Sequence, residues 1–220
     1  MIPLLRAGSL LVNVALFAGA PCLLGLAWPW ALLVAAALFA LVWWACGHVA
    51  RSAPASRGQE DAAHRAAERL GVAPPRFVRT VEGWTAAAVR CGRGYGILVG
   101  ADVAPEHHDA VLVHEIVHYA TGDLFWEPFT DGPARLLVHA AHAVPPLGVI
   151  AIPFLLLGAP LARATELRAD RLAARAVPGY SAVLRDVAPR MGARGTFLYP
   201  SLGARIRHSA RDSEFTPPAE

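Results

Sequence analysis

His114-Glu115-Ile116-Val117-His118 sets two imidazoles four residues apart, with a carboxylate directly after the first. On a helix, positions i and i+4 share a face, so His114 and His118 can both turn to one metal ion. Glu115 lies about 100° further round the helix, within reach of a water at that ion without being a ligand. This is the H-E-x-x-H arrangement of a zinc hydrolase, and the chemistry it suggests is metal-assisted hydrolysis. Two histidines on an ordinary amphipathic helix would read the same way, so the motif needs a third ligand to decide it.

Beyond the pair, the candidate ligands are His107, His108, His139, His142, His208 and the carboxylates. The segment 163–174 is the most informative, because Glu166 and Asp170 are also i, i+4. Ala162, Ala169 and Ala173 surround that face, and small neighbours allow close approach to another helix. The expected division of labour is Glu166 as third zinc ligand and Asp170 as acceptor for the remaining ring N–H of a ligand histidine. The competing reading is a solvated acidic pair balanced by Arg163, Arg168 and Arg171.

Composition bears on what must position these groups. Apolar residues make up 55% of the 220 residues and charged residues 17%, which suggests a membrane protein with a modest polar portion. All 20 basic residues are Arg, the net charge is only +3, and no basic run is interleaved with aromatics, so nucleic acid is not an expected partner. Cys22, Cys46 and Cys91 have no metal-site spacing, and two of them sit in apolar runs.

Residues 7–50 lack Asp, Glu, Lys and Arg, which predicts a transmembrane helical hairpin over residues 1–50 turning near Gly25–Pro29. Arg6 at one open end, with Arg51 and Arg57 at the other, places both ends in the cytoplasm. Residues 51–220 are then one metallopeptidase domain. Within it, patterning predicts a helix over 60–70 and strands at 77–81, 85–90 and 95–99. A helix from Pro105 to about Gly122 carries the motif, and another spans 161–176. A second apolar stretch, 134–162, is interrupted by four prolines, and the site requires 114 and 166 on one side. A Pro-broken hairpin or re-entrant pair is therefore expected there, with His139 and His142 turned from lipid. The predicted fold class is an α+β membrane protein: N-terminal hairpin, zincin-like domain with a small β-sheet, apolar helical insertion.

H-E-I-V-H followed by E-L-R-A-D-R-L-A-A resembles the HtpX-like integral-membrane zinc endopeptidases, gluzincins related to the CAAX prenyl endopeptidases. The resemblance covers roughly residues 59–208. It implies Zn(2+) held by His114, His118 and Glu166, with Glu115 as catalytic base and Asp170 beside the ligands. Asp123, five residues after His118, matches a common family Asp. Tyr199-Pro-Ser-Leu-Gly-Ala-Arg-Ile resembles the family's terminal H-P-x-L-x-x-R-I segment. Tyr199 stands where the family has His, either donating to the developing oxyanion in its place or merely packing. The upper-rim strand is Thr85-Ala86-Ala87-Ala88 where the family has Asn-Ala-Phe-Ala.

The expectation is a multi-pass enzyme of the cell membrane, its catalytic domain facing the cytoplasm, with a lipid bilayer and a peptide or protein substrate as partners. Substrate would lie extended along the strand at 85–90. Two other readings stand beside it. One is a sensor metallopeptidase of the BlaR/MecR kind, although the chain has no room for an extracellular sensor domain. The other is a non-catalytic membrane scaffold, which has no chemical need for all four site residues.

Overall fold

A computed structural model describes residues 53–83, 86–130, 146–187, 189–190 and 200–213, with scattered positions between 27 and 40. These residues form an α+β fold with a small mixed sheet. The chain divides into two compact units, residues 1–48 with 125–162 and residues 49–124 with 163–220. Every described residue of the proposed site belongs to the second.

That unit begins with β1 (Ala53–Pro54) and α1 (Arg57–Arg69). Ser56 caps α1 reciprocally: its hydroxyl accepts the Gln59 N–H, and the Gln59 side chain accepts the Ser56 N–H. β2 (Val78–Val81), β3 (Ala86–Cys91) and β4 (Gly94–Gly100) complete the sheet in the order β1-β2-β4-β3. β4 runs parallel to β2 and antiparallel to β3, with Ala88 opposite Ile97. Among the described residues β3 is therefore an edge strand.

A 3-10 turn at Pro105–His107 leads into α2 (His108–Ala120). Leu112, Val113, Ile116 and Val117 of α2 are at most 1% exposed and share a core with Ile97 and Val99 of β4. Burying each such side chain stabilises by roughly 1.5–3 kcal/mol, so this face fixes the rotation of α2. Ala62, Ala63, Ala66 and Ala67 line the buried face of α1, which packs against α2. With its apolar face spent, α2 carries His114, Glu115 and His118 on the adjoining one.

α3 (Asp123–Thr130), α4 (Pro146–Ala176), α5 (Tyr180–Val187) and α6 (Leu202–Ser213) follow. Ala169 and Ala173 of α4 are fully buried in the same core as α2. The small side chains that suggested a close helix approach are thus at the packed face.

The membrane expectation is corrected. Among the described residues, no helix is long and apolar enough to cross a membrane. In α4 only the part before Arg163 is apolar, fewer than the roughly twenty residues a span needs, and the same helix continues through Glu166, Arg168, Asp170 and Arg171. Over the described residues the fold is thus α+β with a small mixed sheet and no membrane-spanning helix, and the expectation of a multi-pass location in the cell membrane is set aside. The insertion at 134–162 is not a Pro-broken hairpin where it is described: α4 runs unbroken from 146 to 176 through Pro153 and Pro160. Helix propensity is a weak local bias that surrounding structure overrides. The hairpin over 1–50 and the positions of His139 and His142 lie outside the described residues, apart from scattered helical positions such as Pro29 and Trp30.

Candidate metal centre

One helical turn separates His114 from His118, and their Nε2 atoms lie 3.3 Å apart. From α4, Glu166 brings Oε2 to 3.5 Å from His114 Nε2 and Oε1 to 3.6 Å from His118 Nε2. The ligand atoms of the three residues all lie within 4.8 Å of one another, and the group could hold a metal ion. The spacing supports this. Ligand atoms about 2.0–2.1 Å from a tetrahedral ion stand about 3.3–3.4 Å apart. Two ring nitrogens facing each other at 3.3 Å also repel unless a proton or cation lies between them.

The far side of each ring is tied down by a carboxylate. His118 Nδ1 lies 3.0 Å from Asp123 Oδ2. Thr121 caps α2, and Gly122 then takes a positive φ of 74°, a turn that costs a glycine little. That turn brings Asp123 back beneath His118. The Thr121 hydroxyl sits 2.9 Å from Asp123 Oδ2, and Arg168 donates both to that hydroxyl and to Asp123 Oδ1. His114 Nδ1 faces Asp170 Oδ1 at 3.1 Å and the Tyr180 hydroxyl at 2.9 Å. Asp170 is fully buried and accepts two hydrogen bonds of 2.7 Å from Arg205, through Nε and NH2. With Nδ1 donating in each ring, the Nε2 lone pairs are left for a ligand.

The electrostatics follow. Burial works against charge on every group here. For Glu166 it is outweighed by the hydrogen bond with His114 and the charges of His118, His114 and Arg205, and its pKa falls to about 2. Asp123 likewise falls to about 2 through His118 and Arg168. Asp170 is held well below the carboxylate range by Arg205 and His114. Burial alone would lower the His114 pKa, yet Asp170 and Glu166 lift it to about 10. Two imidazoles among these carboxylates form a site with a strong preference for positive charge.

Glu115 differs from the other carboxylates. Burial raises its pKa, although His114 and His118 oppose the rise. Its Oε2 accepts a 3.0 Å hydrogen bond from the Ala88 N–H of the edge strand β3. The carboxylate therefore stands between the metal group and the open strand edge, and touches neither ligand ring by hydrogen bond in this arrangement.

Compared with protein-family models, curated proteins and solved structures, the chain matches none. The site therefore stands on its own geometry. His114, Glu115, His118, Asp123, Glu166 and Asp170 are brought together as described. Tyr199 lies outside the described residues. Two contributors escape the sequence reading: Arg168, there only a balancing charge, and Tyr180, which carries no motif. No motif spacing marks either: Arg168 meets Thr121 and Asp123 across 47 and 45 residues, and Tyr180 meets His114 across 66 and Asp170 only after the turn between two helices.

Arg168 offers a direct check on the His118 branch. Arg168→Ala removes the donor that holds Asp123, and metal affinity is expected to fall about tenfold, as for other residues that orient a metal ligand from behind. Chelator competition measures it; unchanged affinity would show that Asp123 needs no clamp.

Proposed function

We propose that this chain is a zinc-dependent endopeptidase of the gluzincin type, hydrolysing peptide bonds of protein substrates. The observation that carries the reading is the convergence of His114 Nε2, His118 Nε2 and the Glu166 carboxylate at spacings of 3.3–3.6 Å, with Glu115 beside them. Two imidazoles and one carboxylate are the donor set of catalytic zinc in several hydrolases, and three protein ligands leave a fourth position open. The H-E-I-V-H, E-L-R-A-D and P-S-L-G-A-R-I segments, which resemble those of the HtpX-like endopeptidases, support the same assignment.

The chemistry that zinc supplies when bound is polarisation of a carbonyl and acidification of water. The remaining work falls to the chain. Glu115 takes the proton of the attacking water and delivers it to the leaving amine, a role that a carboxylate with a raised pKa suits. The Ala88 N–H holds one of its oxygens, which leaves the other for the proton. An extended peptide adding to the open edge of β3 by main-chain hydrogen bonds would pass beside Glu115, because strand and base are in direct contact. That mode reads backbone more than side chains and favours broad specificity.

The test is cleavage of a casein-like substrate by the purified protein. Activity is expected to disappear on chelation and return with zinc, and Glu166→Ala is expected to lose both zinc and activity. Protein that takes up no zinc, or that cleaves equally well after its zinc is stripped, would overturn the proposal.

A further inference from the structure

Tyr180 is the first residue of α5 and 4% exposed. Its placement follows from the chain just before it. α4 ends at Ala176, and Gly179 takes a positive φ of 75°, so the chain reverses within a few residues. The reversal returns the Tyr180 ring to the helix that carries Asp170. Its hydroxyl lies 2.7 Å from Asp170 Oδ1 and 2.9 Å from His114 Nδ1. The rings of Tyr180 and His114 are nearly parallel, at 7° with centroids 6.4 Å apart.

Hydrogen-bond directions in this cluster are fixed by elimination. Asp170 Oδ1 can only accept, so the Tyr180 O–H donates to it, and the phenolic oxygen is left to accept. The group facing that oxygen is His114 Nδ1, which must then carry its proton. Asp170 Oδ1 is also shared with Arg205 NH2, at 2.7 Å, and its separation from His114 Nδ1 is 3.1 Å, longer than that from Tyr180. The tyrosine oxygen is therefore the nearer acceptor for the ring N–H.

We propose that Tyr180 is a positioning residue of the metal centre, its hydroxyl joining Asp170 in holding His114 in the tautomer and orientation that direct Nε2 to the metal. The inference rests on the metal centre proposed above. A tyrosine buried only as core filling would bring the same ring without a reason for its hydroxyl to bridge these two atoms. Tyr95 provides the contrast: it is fully buried, and its hydroxyl donates at 3.0 Å to the Ala73 carbonyl, not to a ligand or its holder.

The experiment compares wild type, Tyr180→Phe and Tyr95→Phe by competition with a chromophoric zinc chelator. Melting of the metal-free proteins is followed in parallel, as is the visible spectrum of the cobalt-loaded forms. Each substitution removes one buried hydroxyl, so both lower the metal-free melting midpoint modestly. Only Tyr180→Phe is expected to weaken zinc binding, by about tenfold, and to shift the cobalt bands. Zinc affinity and cobalt spectrum in Tyr180→Phe equal to those of Tyr95→Phe would overturn the positioning role and leave the metal centre standing. Wild-type protein that binds no zinc would overturn both.

Discussion

Glu115→Gln is expected to leave zinc bound and the fold intact while lowering peptide hydrolysis by about 100- to 10,000-fold, the usual contribution of a positioned general base. Gln has the same shape, and its side-chain oxygen can still accept the Ala88 N–H that now holds Oε2. Glu115 is not among the three residues grouped as ligands, so its neutralisation takes no donor from the ion. The substitution removes only the ability to take a proton and hand it on. The paired measurement is zinc content per chain and kcat/KM on the same sample. Full zinc content with undiminished cleavage would sink the assigned role, and loss of zinc would place Glu115 in the coordination sphere instead.

What was legible in the chain was local. His114 with His118, and Glu166 with Asp170, could be read because a helix repeats every 3.6 residues and needs no knowledge of tertiary structure. The sheet was legible because short runs at 77–81, 85–90 and 95–99 are bounded by the turn formers Glu82-Gly83 and Gly92-Arg93-Gly94, and the strands fall at 78–81, 86–91 and 94–100. That Asp170 faces the ring N–H of a ligand histidine was legible too, but which histidine each aspartate serves was not. Asp170 serves His114 and Asp123 serves His118, which depends on how α4 packs against α2. Tyr180 and Arg168 were missed on the same ground. Apolar composition misled in the other direction. Hydropathy sums a run such as 146–162 without showing that it is one end of a helix whose other end carries Glu166 and Asp170.

Asp170→Ala is expected to be the most destabilising single change in the site, by about 3–5 kcal/mol, the cost of leaving one member of a buried ion pair without its partner. Asp170 is fully buried and Arg205 is 8% exposed, so water cannot replace the lost carboxylate. For a chain of this size, that loss corresponds to a melting midpoint lower by roughly 6–20 °C. The Tyr180 hydroxyl and His114 Nδ1 lose an acceptor at the same time. Zinc affinity suffers through a second route as well. Arg205 NH2 already stands 3.6 Å from Glu166 Oε2, and once released from Asp170 it is drawn to that carboxylate and competes with the metal for it. Asp123→Ala makes the useful comparison. Its partner Arg168 has a side chain 24% exposed, so water can take up part of what the carboxylate leaves, and the loss of stability is expected to be smaller. Thermal melts of both variants with and without zinc separate the two contributions. An Asp170→Ala protein that melts within about 2 °C of wild type would mean that Glu166, 3.6 Å from Arg205, replaces Asp170 as its partner without loss, and the expected cost of breaking the pair would be wrong.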